Sequence, residues 1–217
     1  MSSDQQHARL MDAIYRPQQA IYDATRKYYL FGRDRMIKEL NAQNNNHVLE
    51  IGCGTGRNLI HAHGHYPYPQ YYGMDISQVM LDTAHKQIAQ RGLSESMKLA
   101  RGDARDFDPM ALFGRSTFDR IFFSYSLSMI PQWEIALQHA LHLLSEQGSI
   151  HVVDFSTGKG LYQPFRWALQ RWLRAFHVFP DARLGPVFHQ MTEAEGFHAE
   201  QTDIMGGYAI LLKAYKA

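Results

Sequence analysis

The chain has a single cysteine, Cys53, no block of like charges, and no apolar run near the roughly 20 residues that span a bilayer. Each shortage excludes something. One cysteine cannot close an internal disulfide or build a Cys-rich metal site, and it fits a reducing compartment. Twenty-two Lys and Arg against 21 Asp and Glu leave a formal charge of +1, with no whole-chain pull toward nucleic acid. The start Ser2-Ser3-Asp4-Gln5-Gln6 lacks the apolar core of a signal peptide, so the cytoplasm is the expected location. His61, His63 and His65 alternate, but an i, i+2 spacing does not share a helix face, and no metal is expected.

What is present is one domain's worth of core: 217 residues, 45% hydrophobic and 20% charged. Residues 7 to 40 carry Leu10, Ile14, Ile21, Tyr22, Tyr28, Tyr29 and Ile37 at helical spacings, divided into short helices by Pro17 and Gly32. After Asn44-Asn45-Asn46 the pattern changes to apolar runs alternating with helices. Strands are predicted at 47–51, 71–75, 97–101, 118–123 and 149–154, with helices from about Arg57, over 78–90 and over 133–144. Strands separated by helices predict a parallel sheet covered on both faces, an α/β doubly wound fold. Runs 197–205 and 208–215 around Gly206-Gly207 predict a terminal β-hairpin.

Chemistry gathers at the predicted strand ends. The first strand breaks into Glu50-Ile51-Gly52-Cys53-Gly54-Thr55-Gly56, where glycine lets the backbone turn sharply and approach a ligand. A dinucleotide fingerprint needs glycine where Arg57 stands, which weakens a nicotinamide dehydrogenase reading. Asp75 ends the second strand about 20 residues further on, followed by Ile76, and a carboxylate there can accept both ribose hydroxyls. Gly102-Asp103-Ala104 follows the third strand, and Ser124-Tyr125 ends the fourth.

In this order the motifs resemble the Rossmann-like S-adenosylmethionine-dependent methyltransferases. The resemblance implies a seven-stranded, mostly parallel sheet whose last strand inserts antiparallel, with S-adenosylmethionine as cofactor. It assigns the cofactor to Glu50, Gly52, Gly54, Gly56, Asp75, Ile76, Asp103, Ala104 and Ser124, with Asp103 and Ala104 at the adenine. The domain is divided into an N-terminal helical lid at 1–43, a cofactor-binding core at 44–155, and acceptor-side helices with the hairpin at 156–217. Tyr125 is a candidate catalytic residue beside the acceptor.

A narrower resemblance lies in Met11-Asp12-Ala13-Ile14-Tyr15-Arg16-Pro17 and in Ile21 to Arg35. These segments are similar to the N-terminal signature of the bacterial N-methyltransferases of betaine-lipid synthesis. That family trimethylates the amine of diacylglycerylhomoserine, so the resemblance implies a lipid amine as substrate. Aromatic faces attract quaternary ammonium groups, and Tyr22, Tyr28 and Tyr29 are candidate catalytic residues that would shelter the developing cation. The alternatives are another lipid amine, a quinone precursor or another small molecule as acceptor, and a noncatalytic S-adenosylmethionine-binding module.

Residues 159–179 hold Lys159, Arg166, Arg171 and Arg174 and no acidic residue, interleaved with Phe165, Trp167, Trp172, Phe176 and Phe179. Phe165, Leu169, Trp172 and Phe176 are predicted to share one helix face, and such a helix can lie in a lipid interface. Peripheral attachment at the inner face of the membrane is the corresponding expectation.

Overall fold

The computed structural model of the chain describes residues 30–175 and 178–216. Seven strands form one sheet in the order β3-β2-β1-β4-β5-β7-β6. They are β1 (His47–Ile51), β2 (Gln70–Asp75), β3 (Met97–Arg101), β4 (Phe118–Ser124), β5 (Leu144–Phe155), β6 (His198–Ile204) and β7 (Ala209–Tyr215). The pairs β1·β2, β2·β3, β1·β4 and β4·β5 are parallel, whereas β7 runs antiparallel between β5 and β6. The hairpin is therefore present, and its second strand is the inserted one.

Seven helices are described: α1 (Arg33–Glu39), α2 (Arg57–His65), α3 (Gln78–Gln90), α4 (Pro109–Phe113), α5 (Trp133–His142), α6 (Gln163–Ala175) and α7 (Leu184–Ala194). Alternation along the strands sends side chains to two separate cores. Ile121, Phe123, Ile150 and Val152 pack with Ala136 and Leu137 of α5 and Phe188 of α7. Val48, Phe122, Val153 and Leu211 pack on the other face with Met36 and Ile37 of α1, Leu59 of α2 and Leu173 of α6.

This placement revises the extent of the expected lid. Met36 and Ile37 are fully buried, and Arg120 of β4 donates Nε–H to the carbonyl of Leu40 at 2.7 Å. Leu30, Met36, Ile37, Leu40 and Ala42 are buried in the core, while Asp34, Arg35 and Lys38 of α1 stay exposed. The expected lid residues Tyr22, Tyr28 and Tyr29 lie outside the described residues.

Strand β5 begins at Leu144, where a predicted helix end was expected, because Leu144 pairs with Phe118 before an irregularity restores the register at Arg120↔Ser149. The chain runs outward from β1 through β2 to β3 and returns to β4 on the far side of β1. A crevice opens at that reversal, outside the carboxyl ends of the strands, where open α/β sheets take their ligands.

Candidate functional site

The crevice holds a cavity walled by the ends of β1 to β4. Gly52, Gly54, Asp75, Ile76, Asp103, Ala104, Ser124 and Tyr125 all line it, so four strand ends distant in sequence converge as expected. Gly52 and Gly54 have φ of +77° and +53°, a region that favours glycine. A Cβ on Gly52 would lie 2.6 Å from the Ser126 Cβ, so this glycine lets the segment after β4 close against the turn. At Gly54 a Cβ would meet nothing within 4 Å, and its backbone is bare toward the cavity.

Asp75 is held from two directions. Its Oδ2 accepts the Gly54 N–H at 2.8 Å and its Oδ1 accepts the Ser77 N–H at 2.9 Å. Ser77 also caps α3, its hydroxyl accepting the Met80 N–H at 3.3 Å. Two backbone N–H groups thus orient the carboxylate, and carboxylate oxygens accept more than one bond each, as a ribose diol requires.

Asp103 is half-buried, and it makes a fork with Arg105, a residue that sequence reasoning missed. Arg105 donates Nε–H to Oδ1 at 2.9 Å and Nη2–H to Oδ2 at 2.6 Å, and its own N–H also reaches Oδ1. Arg105 lines the cavity too, and its Nη1 reaches Gln132 at 3.2 Å. A base bound here meets both members of an ion pair rather than an isolated carboxylate. An Arg two residues after an Asp in a loop was the signal available.

Two expected residues stand apart. Gly56 does not line the cavity; its Cβ position faces Ala84 at 3.1 Å, so it serves the packing of α2 on α3. Glu50 is fully buried behind the turn, where Oε1 accepts from Asn58 Nδ2 at 2.6 Å and Oε2 has no hydrogen-bond partner among the described residues. Burial raises its pKa to about 8, against a smaller opposing pull from Asn58 and then from Arg33.

At the end of β4, Ser124 presents a buried Oγ with no partner among the described residues. An orphaned hydroxyl on the wall of a cavity suits a polar ligand, because leaving it unpaired costs free energy. Tyr125 departs from the catalytic expectation. Its φ is +56°, its ring meets Phe155 edge-on at 4.6 Å, and its hydroxyl donates to the carbonyl of Phe31 at 2.5 Å. Burial holds its pKa well above the ordinary tyrosine value. It is a tie between the segment before α1 and the cavity rim.

A further carboxylate went unnoticed in the sequence. Asp154, fully buried at the end of β5, accepts from the N–H and hydroxyl of Ser128 at 3.0 and 2.7 Å and from the Phe155 N–H. Ser128 lies in a 3-10 turn, Leu127–Met129, whose last residue joins Ile130 and Pro131 in the cavity wall. Burial raises the Asp154 pKa to about 6. An acid ending an apolar strand run, as Asp75 does, was the missed signal.

Comparison with known proteins agrees with this geometry. Residues 48–148 match the family model described as a methyltransferase domain. A demethylmenaquinone methyltransferase of Lactobacillus johnsonii is 26% identical over 151 residues, which is 69% of this chain and 58% of that protein. The chain thus spans somewhat more than half the length of the curated relatives it matches. Among solved structures, an S-adenosylmethionine-dependent methyltransferase from Aquifex aeolicus superposes with a TM-score of 0.65 at 15% identity, covering 88% of this chain and 93% of its own. Phosphoethanolamine N-methyltransferase 2 of Haemonchus contortus, in complex with S-adenosyl-L-methionine, gives 0.67 at 14% identity, covering 86% and 52%. At such identities the structures speak to fold. Residues 48–148 thus resemble a methyltransferase domain, and the converging strand ends are suited to hold S-adenosylmethionine.

Proposed function

We propose that this chain is an S-adenosylmethionine-dependent N-methyltransferase that trimethylates the amine of diacylglycerylhomoserine to give a betaine lipid. The cofactor supplies a methyl group already activated on a sulfonium. The protein's part is then to bind, orient and exclude water, and alignment of this kind is worth up to roughly 7 to 11 kcal/mol. Asp75 would orient the ribose, Asp103 and Ala104 the adenine, and Gly54 would allow backbone contact.

An amine acceptor fits the part of the cavity wall formed by the segment after β4. Met129, Ile130 and Pro131 are not ionisable, and the Tyr125 hydroxyl beside them is engaged by Phe31 and resists ionisation. An acceptor there must bring its own lone pair. An amine supplies that lone pair once it has shed its proton. The homoserine lipid in particular rests on the resemblance of residues 11–35.

Methylation of a quinone precursor is the second reading, favoured by the demethylmenaquinone methyltransferase among the relatives. Incubation of the purified chain with S-adenosylmethionine and either lipid, followed by mass spectrometry, tests both. Three successive methyl additions to diacylglycerylhomoserine are expected. A single addition to demethylmenaquinol alone would replace the proposal with the second reading, and no transfer to either would favour a binding module.

A further inference from the structure

Helix α6 turns inward part of the face expected to lie in a lipid interface. Leu169 and Leu173 are the residues it buries, with Trp172 partly covered beside them. Trp167 lies at the opposite pole and is 67% exposed, its ring under the Arg171 guanidinium at 6.0 Å. Arg174, also exposed, lies on the same outward side. Before and after the helix, Tyr162 is 80% exposed and Phe179 60%, and Phe165 is 54% exposed in its first turn.

An outward pole facing only water gains little from an exposed indole, and clustered apolar exposure marks an interaction surface. The sign of the charge identifies the partner. No acidic residue occurs from Phe155 to Pro180, while Lys159, Arg166, Arg171 and Arg174 do. Trp and Tyr rings among arginines suit the boundary between lipid headgroups and acyl chains, and the cations suit anionic headgroups.

The patch also adjoins the site. The Phe179 N–H donates to the Ser128 carbonyl at 3.3 Å, one residue from Met129 in the cavity wall, and the Gly158 N–H donates to Gly207 of the hairpin turn at 2.9 Å. Met205, on that turn, is 60% exposed as well. We infer that the outward face of α6, with its flanks, docks reversibly on an anionic lipid bilayer and presents the mouth of the cavity to it.

Vesicle co-sedimentation without cofactor or acceptor tests this, so its outcome is separate from that of the methyl-transfer assay. The full chain is expected to bind phosphatidylglycerol vesicles at low salt, to release as salt rises, and to ignore phosphatidylcholine vesicles. Arg171→Gln with Arg174→Gln should weaken binding about thirtyfold. Trp167→Ser should weaken it at least tenfold with an unchanged melting temperature. Tyr68→Ser, at an exposed tyrosine elsewhere, is the control and should have no effect. Absence of binding to anionic vesicles, or binding that survives both α6 variants, would overturn the inference. So would sedimentation as a dimer that Trp167→Ser dissociates while vesicle binding is absent, which would make the patch a contact between copies.

Discussion

Asp75 and Gly54 are joined at 2.8 Å, a carboxylate oxygen on a backbone N–H, across 21 residues of chain. The group expected to take the ribose therefore also holds the glycine turn in shape, and the two motifs act as one unit.

Removing that unit should be costly to binding. Asp75→Ala loses charge-assisted bonds worth roughly 1.5 to 3 kcal/mol, which corresponds to a rise of about tenfold to over a hundredfold in the S-adenosylmethionine Kd by calorimetry. Asp75→Asn keeps one acceptor oxygen and should fall between. Unchanged affinity in a folded Asp75→Ala protein would remove Asp75 from the cofactor site.

Ser124→Ala should move two observables in opposite directions. Without ligand, the variant sheds a buried hydroxyl that lacks a partner, and the chain should become more stable by about 1 kcal/mol. With S-adenosylmethionine, the stabilisation on binding should shrink. Thermal melts with and without cofactor measure both, and a uniform loss of stability would show that Ser124 is paired in solution.

Tyr125→Phe distinguishes a tie from a base. It deletes the bond to Phe31, so unfolding free energy should drop by about 1 kcal/mol. Turnover should stay within a few-fold, with an unshifted pH profile. A loss of a hundredfold or more in kcat with intact cofactor affinity would restore Tyr125 to the chemistry.

Glu50 predicts a pH dependence of stability. Its pKa rises from 4.5 in the ordinary state to about 8 when buried, so between those values the native state holds a proton that the unfolded chain has released. The associated stability is fully present below about pH 4.5 and is lost as pH rises through 8. Glu50→Gln keeps an acceptor for Asn58 and cannot ionise. The variant should gain on the wild type between pH 5 and pH 9, by up to about 5 kcal/mol. Denaturant titrations at the two pH values decide, and parallel behaviour of the two proteins would mean that Glu50 is ionised throughout.

The sequence made the cofactor half legible because its signals are local. A glycine turn and an acid after each of two apolar runs are readable without knowing what packs where, and α3 runs from Gln78 to Gln90 as its pattern indicates. Short or disguised elements were less readable. Helix α4 is five residues long and shows itself only by the Asp108 cap and Pro109 in its first turn. Helix α7 opens on Leu184-Gly185-Pro186, which reads as a turn although proline is tolerated in a first helical turn. The roles of Arg105 and Asp154 depend on partners that only folding supplies. In α6 an amphipathic pattern was visible, but which face met the core was not: Leu169 and Trp172 of the stripe turn inward with Leu173, and Trp167 is left outside.

The insertion of β7 between β5 and β6 sets a timetable for synthesis on the ribosome. Among the described residues six strands emerge before it, yet β5 pairs on that side with β7, and β6 pairs with no other strand. Until Ala209 to Tyr215 has left the exit tunnel, the apolar run Ile150 to Phe155 keeps an open edge of the kind that recruits other chains. Translation that stalls in the Gly206-Gly207 turn would hold the nascent protein without β7, with that side of β5 still unsealed.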